Sequence, residues 1–176
     1  MPKDEGAGMN STRSSEGAKE REVRRIGASD GDLLALLGAV SRIKVSSPET
    51  LGTFFIGEAS IPPNAFVPPH HHPDVEVFFV LKGTLEVMRL SDGKAEFLPI
   101  ASGEIALIPS NAVHGFRNAS AAHVDLLLIG GPGIEGFLRE AGSPSVGPDS
   151  AQPSPDEFAR MLEIAKRHGQ VFLDDR

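Results

Sequence analysis

The sequence reads as an all-β domain of antiparallel strands, followed by one amphipathic helix near its end. Two observations carry that reading. Between Thr53 and Gly130 short apolar runs rich in Phe, Val, Ile and Leu recur, each bounded by Pro, Gly, Asn or Asp, the punctuation of a sandwich or barrel. Beyond a Pro/Ser/Gly-rich stretch, apolar residues return at helical spacing from Phe158 to Ala165.

Residues 1–22 hold Gly, Ser, Lys and Glu and almost nothing apolar. Such a segment cannot offset the entropy of its own ordering, so a disordered tail is expected. The main domain is expected over 23–141. From Ile26 to Val45 the short apolar pieces, among them Leu33-Leu34-Ala35-Leu36-Leu37, fit a helical turn or an early strand equally. Strands are expected at 53–56, 75–81, 84–90, 95–99, 104–108, 113–118 and 123–129. Turn signals separate them at Pro62-Pro63-Asn64, Pro68-Pro69, Lys82-Gly83, Ser91-Asp92-Gly93, Ser102-Gly103 and Pro109-Ser110-Asn111. The run Gly130-Gly131-Pro132-Gly133 lacks the spacing of a phosphate loop. Residues 142–154 read as a linker, and 155–176 as the helix and a tail. Ser154 is the expected N-cap with Pro155 in the first position, and Asp156 and Glu157 sit in the first turn. Lys166, Arg167 and His168 suit the negative end of the dipole, and Gly169 stops the helix.

With 176 residues, 40% hydrophobic and 23% charged, the chain suits one domain with tails. The absence of cysteine excludes a disulfide framework, a thiolate metal site and a cysteine nucleophile. All ten aromatic residues are phenylalanine, so a pocket here has no phenol or indole to offer. Polar chemistry falls to His, Asp, Glu, Ser, Thr, Asn, Arg or a metal. A net charge of −7 argues against nucleic acid as a partner. No apolar run approaches the ~18 residues needed to span a bilayer, and no signal-peptide core is present. No membrane partner and a cytoplasmic location are therefore expected.

Residues 64–83 carry the chemistry. His70 and His72 stand two apart, which on a strand puts both rings on one face. Glu76 lies four beyond His72, roughly 13 Å away on a straight strand at ~3.3 Å per residue, too far to share an ion. Pro73-Asp74 between them permits a bend that returns Glu76 to the histidines. On a second segment, after the turn at Pro109-Ser110-Asn111, His114 opens a strand and supplies a fourth ligand. His71 points away from its neighbours, and His123 and His168, which have no partner pattern, read as solvated. Phe78 and Val80 share the face of Glu76 and are candidates to line a pocket with Phe54, Ile108 and Phe116.

These segments resemble the two motifs of the cupin superfamily. His70, His72, Glu76 and Gly83 match the first, and Gly103, Pro109, His114 and Asn118 the second, at the family spacing. Asn64 and Asn111 stand where the motifs usually have Gly, and Asn is the residue that best tolerates the left-handed conformation after Gly. The resemblance covers roughly residues 50–140, and extends more loosely to small single-barrel cupins of the quercetin-dioxygenase-like kind. It implies a jelly-roll (double-stranded β-helix) barrel around one divalent metal ion, often in a homodimer.

The expected metal ligands are thus His70, His72, Glu76 and His114, and the expected ion Fe, Mn, Ni or Zn. Four protein ligands leave an octahedral ion two free positions, whereas a tetrahedral zinc would be saturated. The expected function is a metal-dependent enzyme, dioxygenase-like, acting on a small enol, diol or diketone, with Glu76 also able to take a proton. A non-redox isomerase, cyclase or decarboxylase, or a non-catalytic small-molecule-binding protein, are the alternatives.

Overall fold

Two antiparallel sheets face each other across the main hydrophobic core. The structure, a computed structural model, describes residues 22–144 and 154–173. The expected tail up to residue 21, the linker from 145 to 153 and Asp174 to Arg176 lie outside the described residues. Among residues 22–30, a turn is closed by the Gly27 N–H donating to Asp30 Oδ2 at 2.7 Å.

The strands run β1 (Asp32–Leu36), β2 (Ala39–Val45), β3 (Phe55–Ile61), β4 (Phe66–His71), β5 (Glu76–Lys82), β6 (Thr84–Ser91), β7 (Lys94–Ala101), β8 (Ile105–Ile108), β9 (His114–Arg117) and β10 (Val124–Gly130). Helices α1 (Pro132–Ala141) and α2 (Pro155–Arg167) follow, then the short β11 (Val171–Phe172). The first sheet is ordered β1-β2-β3-β10-β5-β8 and the second β11-β4-β9-β6-β7. The ambiguous segment 26–45 is thus a hairpin, and the expected strand at 53–56 begins later and runs on to Ile61. The all-β expectation with a C-terminal helix holds.

Period-two burial explains why the sheets stack. Phe55, Ala59 and Ile61 on β3 and Val124, Leu126 and Leu128 on β10 are buried, while the residues between them face outward. Phe55, Val80, Leu85 and Val124 are fully buried. Truncating one such side chain to Ala costs about 2–5 kcal/mol for a Leu or Phe.

Three elements depart from the pattern read in the sequence. Pro68-Pro69 lies inside β4 rather than in a turn. The register against β9 shifts between Val67 and His70, so the missing proline N–H groups fall where the ladder is interrupted. Helix α1 and strand β11 were not foreseen as regular structure. The two helices and the β1–β2 turn enclose a second core, in which Phe137, Met161, Ile164 and Ala165 are buried against Leu36, Leu37 and Phe172.

Helix α2 starts as expected. Ser154 Oγ accepts the Glu157 N–H at 3.3 Å, and the Glu157 carboxylate accepts the Ser154 N–H at 2.8 Å. It ends in a Schellman turn: Gln170 N–H donates to Ala165 O at 2.9 Å and Gly169 N–H to Lys166 O at 3.1 Å, with Gly169 at φ +77°. Among the described residues no helix is long and apolar enough to cross a membrane.

Candidate metal centre

His70 on β4 and His114 on β9 are direct cross-strand partners, so their rings leave the second sheet on the same side. Their centroids stand 4.2 Å apart. His72 follows two residues after His70, past the end of β4. There the chain crosses at Pro73-Asp74 to the first sheet, where Glu76 opens β5. The bend brings Glu76 Oε2 to 3.4 Å from His72 Nε2 and 3.1 Å from His114 Nε2. All four side chains are buried, and ligating nitrogens of the three histidines lie within 4.8 Å of one another.

Backbone carbonyls fix how each ring presents itself. His70 Nδ1 is 2.9 Å from Pro68 O, His72 Nδ1 3.0 Å from Asp74 O, and His114 Nδ1 2.9 Å from Ala112 O. A carbonyl can only accept, so each Nδ1 carries the proton and each neutral ring offers a bare Nε2. Burial, reinforced by the neighbouring His114, lowers the His70 pKa to about 4. Burial also works against a charged His72, but the hydrogen bond and negative charge of Glu76 outweigh it and raise its pKa. Burial likewise opposes an ionised Glu76, yet its hydrogen bonding with His114 and His72, in which a proton between Nε2 and the carboxylate takes the place of an ion, lowers its pKa to about 2.

This donor set fits a divalent metal. Three bare imidazole nitrogens and a carboxylate are all lone-pair donors, and they repel unless a cation lies among them. The Nδ1–carbonyl contacts are the outer hydrogen bonds that metal-binding histidines ordinarily make.

The surrounding residues hold this arrangement from several directions. Asp74, whose carbonyl orients His72, sends its carboxylate to the start of α1, where Oδ2 accepts the Ile134 N–H at 3.0 Å. The N-cap residue there is Gly131, which has no side chain of its own to do so. A Cβ on Gly131 would stand 2.3 Å from the Asp74 carboxyl group, which accounts for the Gly-rich run as a close approach of backbone to carboxylate. Asn118 is fully buried. Its amide donates to Ile61 O, Pro62 O and Ala122 O at 2.7–3.1 Å, and its oxygen accepts from Ser120. Asn64 and Asn111 adopt φ +62° and +60°, the left-handed conformation expected where they replace Gly.

His70, His72 and Glu76 give onto a cavity of about 100 Å³. Of the five pocket candidates, Phe78 and Phe116 line it and meet edge to face at 5.5 Å. Val80 and Ile108 are packed in the core and do not line it, and Phe54 is 41% exposed. Leu36, Leu37, Gln170 and Phe172, which the sequence did not single out, do line it. The Phe172 ring stacks on His70 at 4.9 Å. His168 is also paired rather than solvated, with Nε2 2.7 Å from Glu140 Oε2. His123 stays exposed with Nδ1 3.3 Å from Ser60 Oγ.

Comparison with known proteins agrees with this architecture. Residues 57–130 match the family described as Cupin domain. The chain resembles the polyketide cyclase RemF from Streptomyces resistomycificus at a TM-score of 0.54 and 22% identity, over 63% of this chain and 80% of that one. It also resembles a predicted oxalate decarboxylase from Thermotoga maritima at a TM-score of 0.52 and 17% identity, over 61% of this chain and 98% of that one. At such identities the likeness is one of fold. No curated protein matches the chain. Residues 57–130 are thus similar to a cupin domain, and His70, His72 and His114 within them form a group able to hold a metal ion.

Proposed function

We propose that the chain is a mononuclear metal-dependent enzyme, a dioxygenase or close mechanistic relative, acting on a small enol, diol or diketone. The observation that carries the proposal is the locked Nδ1–H tautomer of all three histidines beside an ionised, buried Glu76. His70, His72 and His114 would hold one divalent ion (Fe, Mn, Ni or Zn), with Glu76 as the fourth ligand. When bound, the ion supplies Lewis acidity and, if redox-active, electrons for dioxygen chemistry. Among the described residues Glu76 is the one carboxylate lining the cavity and so the residue suited to accept a proton from an acidic substrate. Phe78, Phe116 and Leu126 line the cavity with apolar surface.

The same donor set also supports a non-redox cyclase, isomerase or decarboxylase, because a divalent ion polarises a carbonyl without dioxygen. Elemental analysis of protein reconstituted anaerobically with Fe(II), Mn(II), Ni(II) and Zn(II), followed by oxygen uptake on diketones, flavonols and catechols, tests the proposal. Stoichiometric metal with oxygen consumption is expected. Turnover without oxygen uptake selects the non-redox reading; metal without any turnover selects a binding protein; no metal under any condition sinks all three.

The proposal includes a cytoplasmic homodimer with small-molecule ligands and neither nucleic-acid nor membrane partners. The net charge of −7 supports the absence of a nucleic-acid partner, and the apolar outer face of the first sheet supports the dimer.

A further inference from the structure

The cavity beside the metal centre is almost entirely apolar, and its few polar groups narrow what it can hold. Apart from the centre itself, only Ser41 and Gln170 among the described lining residues carry a polar side chain, and no Lys or Arg lines it. Gln170 is 4% exposed, yet among the described residues no hydrogen bond engages its side-chain amide. Among the described residues no buried side-chain nitrogen or oxygen lacks a partner, so the Gln170 amide is accessible from the cavity rather than sealed in.

Gln170 is also held firmly in place. The Schellman turn that ends α2 fixes its backbone, and Gly169 packs on Pro73, beside His72. One residue further, Val171 is 44% exposed; then Phe172 returns to the cavity and stacks on His70. The alternation directs residues 170 and 172 to the same side. Leu173 N–H, bonded to Pro69 O at 2.9 Å, and the β11–β4 pairing anchor the segment on the strand that carries His70.

We propose that Gln170 is the hydrogen-bonding contact for the ligand of this centre, and that the ligand is a small neutral or singly charged enol-type compound with apolar substituents. This rests on the metal-centre reading above. A divalent ion with ionised Glu76 leaves one net positive charge, which a monoanion neutralises. A dianion such as oxalate would leave a negative charge in a cavity with no cationic side chain to meet it, an unfavourable burial. The amide can both donate to an enolate oxygen and accept from a hydroxyl, whereas the apolar walls suit alkyl or aryl groups. The amide lines the cavity and is accessible from it, which places Gln170 as a specificity-determining residue.

The test uses the full chain loaded with Ni(II), an octahedral ion that leaves positions open, with 2,4-pentanedione and oxalate as probes in isothermal titration calorimetry. Wild type should bind the diketone at least about 10-fold more tightly than oxalate. Gln170→Leu should retain stoichiometric nickel, weaken the diketone about 3- to 10-fold, and leave the melting temperature of the metal-free protein within about 2 °C of wild type. The unchanged melting temperature is the readout a structural role would not give, since a glutamine that holds the fold together would lower it when replaced. Gln170→Met, unbranched and apolar, serves if the Leu variant folds poorly. Tighter binding of oxalate, unchanged diketone affinity in the variants, a lowered melting temperature, or failure of both variants to fold overturns the inference while nickel loading leaves the metal reading standing. Failure of the wild type to load nickel overturns both.

Discussion

At the scale of single residues, the centre is decided by protons on imidazole rings. Because Pro68, Asp74 and Ala112 each present a carbonyl to an Nδ1, His70, His72 and His114 need no rearrangement to become ligands. Replacing His114 by Ala removes one of three nitrogens and is expected to weaken metal binding by more than about 100-fold, with far-UV circular dichroism unchanged; an unaltered metal content would remove His114 from the centre. A second residue-scale prediction concerns Glu135, which is 2% exposed. Burial pushes its carboxyl pKa up, but donation from Ser47 N–H at 2.6 Å and from Arg139 Nε at 2.8 Å outweighs it, so the pKa lies below the ordinary value of 4.5. A depressed folded pKa means that this contribution is fully present above the unfolded pKa, and that it fades as pH falls through about 4.5 toward the lower folded value. Melting temperature followed from pH 6 to 3 should therefore drop less steeply in Glu135→Gln, which starts from lower stability; parallel curves would contradict it. That His70, His72, Glu76 and His114 come together was legible in the sequence because their spacing had a geometric reason in the bend at Pro73-Asp74. Gln170 and Phe172 were not, because they reach the cavity from a segment about a hundred residues away with no motif of its own.

At the scale of elements, the connection from β4 to β5 does three things. It changes sheet, orients His72 through the Asp74 carbonyl, and caps α1 through the Asp74 carboxylate. Replacing Asp74 by Ala should therefore cost about 0.5–2 kcal/mol of stability, the worth of a lost helix cap, and loosen the metal by up to about 10-fold because the turn that holds His72 relaxes. Asp74→Asn keeps an acceptor and should recover most of both. The pair of effects can be read by chemical denaturation and by competition with a chelator, and an effect on stability alone would detach the cap from the centre. This long-range cap also explains why α1 was illegible. Its N-cap is Gly131, and the acceptor for Ile134 N–H lies 60 residues upstream, where local start signals cannot register it. Helix α2, whose capping box is local, was read correctly. Strand β4 was hidden by Pro68-Pro69, since an interrupted register and carbonyl-only pairing are tertiary accommodations that a proline in the sequence argues against. Strand β11, two residues long, has too little pattern to find.

At the scale of the whole molecule, the helices pack at β1 and β11, and the first sheet leaves an apolar face outward. On the outer side of the first sheet, Leu107 pairs with Val77 and Ile105 with Phe79 across β8 and β5. Ile129 pairs with Val77 and Leu127 with Phe79 across β10 and β5. These residues form two rows running across three strands. Ile105 and Leu107 are 60% and 65% exposed, and β8 is the edge strand of this sheet with no charged residue in it. An exposed edge with apolar outward residues, unprotected by Lys or Pro, is what proteins ordinarily cover. A second copy can cover it through a two-fold interface, because the same patch then meets itself. Light scattering at micromolar concentration is expected to give about twice the chain mass of 18.6 kDa for the wild type. Leu107→Glu should give 18.6 kDa, since two like charges would then meet near the centre of the contact. The cavity and the histidines lie on the inner side of the sheets, so this variant should bind metal as the wild type does. A wild type that runs as a monomer, or a Leu107→Glu chain that keeps the doubled mass, would remove the outer face of the first sheet as the interface.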